Sequence, residues 1–366
     1  MTMRYSRRSV IFMMVPACVG LVAACSPAAP AASPTPTGSQ LSDWEQQMLQ
    51  SAQKEGKVTV YGFWNPTLEQ MVTSIMAERY PGVKLETLTS TTAPDKIRTE
   101  QQTGQYNADV YIGGLLSGYT LSQMGASEQF DPPAASAAGA KWVLPPTTYV
   151  SYPQVAYAVL AKGILINTQL VPSDKEPKNW KDLLDPFWAG KKIVIDNPSR
   201  GGGPGSTWAH WAYEYSELGR EFLVGLKNQD PVLDSGSATP QINALARGEY
   251  YAYIPSFASY VQQAPGAPLK FIWPAPASGG GSLSIVVLIK NAPHPNAAKL
   301  FMNMTLLPEF QARQAKELWN SPNLVGVPVP DPVVGLEGRT IFIDNEADTQ
   351  RASDWSNTIS REIFGN

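Results

Sequence analysis

Between Lys57 and Gly114 the hydrophobic period switches repeatedly between two and about 3.6, and few folds accommodate that alternation. Lys57-Val58-Thr59-Val60-Tyr61-Gly62 reads as a strand running into a glycine turn, after a helix over Trp44–Glu55 that Gly56 ends. Leu68–Tyr80 reads as a helix, Val83–Leu88 as a strand, Asp95–Gln102 as a helix, and Ala108–Ile112 as an apolar strand closing on Gly113-Gly114. This βαβαβ order predicts an α/β fold with a parallel sheet, right-handed crossovers, and ligands beyond the carboxyl ends of the strands. Those ends are Tyr61-Gly62-Phe63-Trp64, Thr89-Ser90-Thr91-Thr92 and Gly113-Gly114.

A second alternation follows. Ile193-Val194-Ile195 reads as a strand before a glycine-rich turn, a long helix then runs through Leu226, another lies around Gln241–Arg247, and a strand spans Tyr250–Ile254. Extended segments at Gln154–Asn167 and Ser282–Ile289 are the candidates for two crossings between α/β lobes, which would act as a hinge. The turn itself, Arg200-Gly201-Gly202-Gly203-Pro204-Gly205-Ser206-Thr207, lacks the Gly-Lys-Ser/Thr of a nucleotide-binding loop. Glycines let backbone N–H groups approach a ligand, and a helix start favours negative charge, so Gly202 to Thr207 are expected to hold an anionic group. Capping of a structural helix by Ser206 or Thr207 is the plainer alternative. Lys162 and Arg200 are candidate charge partners, against the ordinary fate of such side chains as solvated surface groups.

Arg4, Arg7 and Arg8 precede an apolar run from Val10 to Ala24, short for a membrane span, that closes on Val22-Ala23-Ala24-Cys25. This resembles a bacterial lipoprotein signal, residues 1–24, and implies cleavage before Cys25 with lipid attached to its sulfur. Ser6-Arg7-Arg8-Ser9 faintly resembles a twin-arginine signal as well. Residues 25–41 are almost wholly Ser, Pro, Ala, Thr and Gly and read as a flexible tether. Of the two cysteines, Cys18 lies in the signal and Cys25 at its end, which leaves the following domain without a disulfide or thiolate site. Without residues 1–24 the chain carries 25 basic and 31 acidic side chains, a net charge of −6, and no basic stripe, so nucleic acid is excluded as a partner.

Gly163-Ile164-Leu165-Ile166-Asn167-Thr168, followed by Asn179-Trp180-Lys181-Asp182-Leu183-Leu184-Asp185-Pro186-Phe187-Trp188-Ala189-Gly190-Lys191-Lys192-Ile193, resembles the signature of extracellular solute-binding proteins of ABC importers. The subgroup resembled includes ferric-ion, thiamine and phosphonate receptors. Lys57–Tyr61, Ala108–Tyr111 and Ala246-Arg247-Gly248-Glu249 resemble further family segments, and the likeness spans nearly all of residues 57–330. It implies a two-lobed, type II periplasmic-binding-protein-like fold, each lobe a mixed, mostly parallel sheet flanked by helices. Lobe 1 is expected over 42–153 plus 282–325, and lobe 2 over 154–281 plus 326–366. The implied protein is a lipid-anchored extracytoplasmic monomer that presents a small ligand to a membrane permease, with no cofactor and no catalysis.

The ligand is a separate question, because such folds host many. Ferric receptors of this subgroup use adjacent tyrosines after the segment matching Ala246–Glu249, where this chain has Phe257-Ala258-Ser259-Tyr260. Tyr250 and Tyr251 would point to opposite faces of a strand and cannot jointly grip one ion, so they are read as packing residues. Trp64, Ser90, Thr91, Gly114, Gly202, Gly203, Ser206, Thr207, Ser256 and Tyr260 are the expected ligand contacts, a set of hydroxyls, backbone amides and aromatic walls suited to a small polar anion. Two alternatives stand beside this: a ferric receptor of the same fold, and an extracytoplasmic lipoprotein enzyme. The only histidines, His210 and His294, show neither nucleophile-elbow nor metal-ligand spacing, and Asp196 reads as a turn residue.

Overall fold

The computed structural model describes residues 40–90, 92–147, 152–160, 162–198, 207, 208, 210–212, 218–234, 236–275, 277, 278, 283–330, 341, 342 and 358–365. Helix α1 (Asp43–Glu55) opens on a reciprocal cap, in which Ser42 Oγ accepts from the Glu45 N–H and the Glu45 carboxylate accepts from the Ser42 N–H. It ends at Gly56, left-handed at φ 79°. Strand β1 (Lys57–Gly62), α2 (Pro66–Arg79), β2 (Lys84–Thr89), α3 (Ala93–Thr103) and β3 (Val110–Gly114) follow, all within two residues of the bounds legible in the sequence, and then α4 (Leu115–Gln123), which was not read from it.

β1 lies between β2 and β3 and is parallel to both. The other half of this sheet is antiparallel. β12 (Leu283–Ile289) pairs with β3, β5 (Val155–Val159) with β12, and β13 (Ser321–Pro322) with β5, while the short β4 (Ser127–Glu128) also joins β12. The resulting order is β13-β5-β12-β3-β1-β2. The second sheet joins β6 (Gly163–Asn167), β7 (Ile193–Asp196), β8 (Val232–Asp234), β9 (Ala252–Ser256) and β10 (Leu269–Ile272) in the order β10-β6-β9-β7-β8. Here β8, β7 and β9 run parallel, and β6 and β10 close the sheet antiparallel.

Both sheets are therefore more evenly mixed than the mostly parallel ones expected. β5 also belongs to the first sheet, not to a lobe beginning at residue 154, so the chain crosses between sheets at residues 160–162 and returns between β10 and β12. The single long helix expected after the glycine-rich turn is interrupted. Residues 207, 208 and 210–212 are helical, and α5 (Gly219–Asn228) starts afresh at Gly219, whose φ of 67° no continuous helix adopts.

Helices cover both faces of each sheet. On one face of the first, Val58, Val60, Met71, Ile75, Phe301 and Phe310 pack among β1, α2, α7 (Pro295–Met304) and α8 (Pro308–Leu318); on the other, Tyr61, Tyr111, Leu121 and Ile285 pack beneath α3 and α4. The second sheet buries Trp180, Trp188, Trp208 and Trp211 on one face, joined by Ile359, Ile363 and Phe364 near the chain end. Its opposite face packs Val194, Leu245 and Tyr253 against α6 (Ala238–Ala246). Burial of each such side chain contributes about 1.5–3 kcal/mol. Two tryptophans join the halves. Trp273 packs against clusters of both sheets, and Trp319, at the end of α8, reaches the cluster under α6.

Candidate functional site

Parallel strands followed by helices bring several helix starts to one sheet edge, and the first sheet shows how its residues shape that edge. At Gly62, with φ 149°, a Cβ would lie 1.9 Å from the Ile112 carbonyl oxygen, so only glycine lets β1 turn away there against β3. The next side chain, Phe63, stands 61% exposed at the strand end. Trp64 does not. It has the parity of Val58 and Val60, is buried with them, and donates from Nε1 to the Val60 carbonyl at 3.3 Å. The expected aromatic wall at Trp64 is thus a packing residue, and Phe63 takes the exposed position.

Asn65 caps α2 by accepting from the Leu68 N–H at 2.9 Å. The caps of α3 and α4, Thr92 and Gly114, place no side chain over the first-turn N–H groups. At α3 Pro94 has no N–H and the Asp95 N–H already donates to the Thr92 carbonyl at 3.1 Å, so the start left open for a partner is that of α4. Gly114 is exposed, with open space where a Cβ would be, and Leu116 beside it is 39% exposed. Ser90 shapes the turn into α3: its Oγ accepts from the Thr92 N–H at 3.1 Å, and its own N–H donates to the Gly62 carbonyl.

The second sheet's edge is built from charged and hydroxyl groups. Lys162, in the crossing after β5, is only 4% exposed, and its ammonium donates to Oγ1 of the fully buried, helical Thr207. Solvation on the surface, the ordinary fate of a lysine, is overturned for Lys162: both flanking strands, β5 and β6, are buried throughout and carry the crossing inside. Asp196 is the last residue of β7, not a turn residue. It accepts from the Tyr253 hydroxyl at 2.7 Å, and its carbonyl accepts from Trp208 Nε1 at 2.8 Å. Burial first, and then the negative charge of Asp196, push the Tyr253 hydroxyl far above its ordinary range, so it remains a neutral donor. Tyr260 lies over Tyr253, with rings nearly parallel at 12° and centroids 6.0 Å apart.

Of the expected contacts, Ser256 is fully buried and its Oγ donates to the Gly163 carbonyl at 3.0 Å, so it ties β9 to β6 instead of lining a surface. Thr207 and Tyr260 stand with Lys162 and Asp196 on the second sheet's side, while Ser90 and Gly114 stand at the first sheet's edge. Thr91, Gly202, Gly203 and Ser206 lie outside the described residues, as do Arg200 and Cys25. Sequence reasoning missed Phe63, Leu116, Tyr253 and Asp234. Parity along β1 was the signal for Phe63, whereas the three-residue strand Val232–Asp234 carried no pattern that marked Asp234.

Tyr250 and Tyr251 pack into clusters on opposite faces of the second sheet. His294 is structural: its N–H and Nδ1 contact the two carboxylate oxygens of Asp109 at 2.7 and 2.8 Å, tying α7 to the residue before β3. Among the described residues no group of three or more His, Cys, Asp or Glu could hold a metal ion, and no helix is long and apolar enough to cross a membrane. A groove of about 450 Å³ beside Trp142, Leu306 and Leu324 lies on the first sheet's helices, and Glu45 and Asn303 within it already make hydrogen bonds.

Residues 113–333, more than half of the chain, match the family model described as bacterial extracellular solute-binding protein. Over 267 residues the chain is 26% identical to an uncharacterized protein of Haemophilus influenzae, covering 71% of this chain and 76% of that one. Solved structures share the architecture. The periplasmic binding protein AfuA from Actinobacillus pleuropneumoniae, with fructose-6-phosphate bound, gives a TM-score of 0.63 at 21% identity over 84% of this chain and 99% of its own. Trichodesmium FutA in complex with iron and citrate gives 0.63 at 18% over the same shares, and apo ferric ion-binding protein A from Pasteurella haemolytica gives 0.67 at 16%, over 85% and 98%. These likenesses establish a two-lobed type II binding-protein fold. With the family match across its second half, the chain belongs to the bacterial extracellular solute-binding proteins.

Proposed function

We propose that the protein is the receptor of an ABC importer, that it captures a small polar anionic solute between the facing edges of the two sheets, and that the closed form is what a membrane permease recognises. One observation carries the anionic reading: the buried ammonium of Lys162 on the helical Thr207, which follows the glycine run in the sequence. Removing an ammonium from water costs several kcal/mol, so a fold keeps one buried where polar partners gather. At a helix start the backbone N–H groups add to the same positive field. A carboxylate, phosphonate or phosphate on the solute suits it, and the uncapped start of α4 would supply further donors from the first lobe.

Ferric ion is disfavoured, because Tyr250 and Tyr251 face apart and the residues before Tyr260, Phe257, Ala258 and Ser259, supply no adjacent phenolate. Export through the signal over 1–24, the tether over 25–41 and a lipid on Cys25 belong to the same proposal. Cys25→Ser should release the protein from membranes, and continued membrane retention would contradict the anchor.

The two crossings, at 160–162 and between β10 and β12, are the proposed hinge, with Trp273 and Trp319 packed where the halves meet. Ligand that bridges the lobes stabilises the closed state by its differential affinity for it. Small-angle scattering should show compaction on saturation with the bound solute. An unchanged radius of gyration, with binding confirmed by calorimetry, would contradict closure.

A further inference from the structure

Asp196 and Asp234, the last residues of β7 and β8, are paired in register. They share the parity of Val194 and Val232, which face α6 together with Tyr253, so both carboxylates lie on that face of neighbouring strands about 5 Å apart. Asp196 already accepts from Tyr253. Asp234 is 4% exposed and differs in its two oxygens. Oδ1 accepts from the Gly236 N–H at 2.9 Å and from Gln241 Nε2 at 3.4 Å, which closes the turn into α6. Oδ2 has no hydrogen-bond partner among the described residues. Turn closure explains Oδ1 and leaves Oδ2 unexplained, because a buried acceptor without a donor is unfavourable and a neighbouring carboxylate adds repulsion. The adjoining Gly236 and Ser237 are exposed, so the group lies just beneath the surface at the strand-end edge that carries Lys162 and Thr207.

We infer that Asp234 and Asp196 form an acceptor subsite for hydrogen-bond donors on the solute, either an ammonium or a set of hydroxyls. The solute is then bifunctional, anionic toward Lys162 and donor-bearing toward Asp234. Its anionic half rests on the reading proposed above; the acceptor subsite stands on its own geometry.

Calorimetry separates the two. The probes are a hexose 6-phosphate, an aminoalkyl phosphonate, a donor-free alkyl phosphonate of similar length, inorganic phosphate, and the neutral hexose and free alkylamine. Asp234→Asn keeps an oxygen for Gly236 and changes the open position from acceptor to donor. A hydroxyl-bearing or amine-bearing phosphate should bind the wild type at least tenfold more tightly than the donor-free phosphonate. Asp234→Asn should erase that difference and leave inorganic phosphate unchanged; Asp196→Asn should reduce it in part. Preference for the hexose phosphate over the aminoalkyl phosphonate identifies hydroxyls, and the reverse identifies an ammonium. Equal affinity for donor-bearing and donor-free anions, an unaltered preference in a folded Asp234→Asn, or no binding of any donor-bearing probe at millimolar concentration would overturn the subsite. If the neutral hexose or amine binds, is lost in Asp234→Asn, and no anion adds affinity, the subsite survives and the anionic reading fails.

Discussion

The two sheets bury their charges at opposite edges. In the first lobe Glu45 pairs with Arg79 at 2.8 Å, both nearly inaccessible, at the end of α2 away from the strand tips, and Asp109 holds His294 ahead of β3. The tips themselves carry glycines, the open start of α4 and the exposed Phe63 and Leu116. In the second lobe the buried Lys162 and Asp234, with Asp196, stand at the tips. Buried charge in the first lobe serves folding, while in the second it is placed where a solute would meet it. The account therefore expects stability and affinity to separate by lobe.

The largest effect is expected from Glu45→Gln. It strands Arg79 beneath α1 and should destabilise the protein by about 3–5 kcal/mol, with solute affinity unchanged in the folded fraction. Burial alone would raise the Glu45 pKa, but hydrogen bonds from the Ser42 N–H, the Tyr80 hydroxyl and Arg79 hold it below its ordinary value. A carboxyl lowered on folding stabilises above its unfolded pKa and loses that contribution as pH falls through the folded one. Chemical denaturation should thus show the gap between wild type and variant at neutral pH and its shrinkage below the ordinary glutamate range. A gap that grows on acidification would contradict the assignment.

Lys162→Met should act in the opposite sense. Affinity for an anionic solute should fall by about thirtyfold or more by titration calorimetry, since truncating one side of a buried charge pair costs about 2–5 kcal/mol. The melting temperature should change little, because losing a buried ammonium relieves its desolvation cost while methionine keeps a similar length and volume. Undiminished affinity would break the contrast between lobes at its strongest point.

A smaller contrast lies within β1. Trp64→Ala should cost about 3–5 kcal/mol of stability and little affinity, whereas Phe63→Ala should leave stability nearly intact and weaken binding by about tenfold or less. If Phe63→Ala destabilises as much as Trp64→Ala, the first lobe's tip is a packing surface and not a ligand wall.

The Phe63 and Trp64 pair also marks how far the sequence could be read. Alternating periods gave β1 to β3 and α1 to α3 within two residues, because the apolar spacing changes at each passage from strand to helix. The same alternation, carried two residues past Gly62, would have put Trp64 inside and Phe63 out. β5 was assigned to the wrong sheet because all five of its residues are buried, so no period records which partner it has. Lys162 was legible in principle, since a crossing between two wholly buried strands has to be buried too. Asp234 was not, because a three-residue strand carries little pattern, and the open oxygen of its carboxylate depends on Gly236 and Gln241 as the turn arranges them in space.

The central claim is that the second lobe's buried ammonium and acceptor pair select the solute. Mass spectrometry of whatever co-purifies with the full chain, released by denaturation, tests it most directly. The account predicts a small organic solute with a carboxylate, phosphonate or phosphate at one end and an amine or hydroxyls at the other, absent from material carrying Lys162→Met. A solute without an anionic group, or ferric ion with a visible phenolate charge-transfer band lost in Tyr260→Phe, would contradict it.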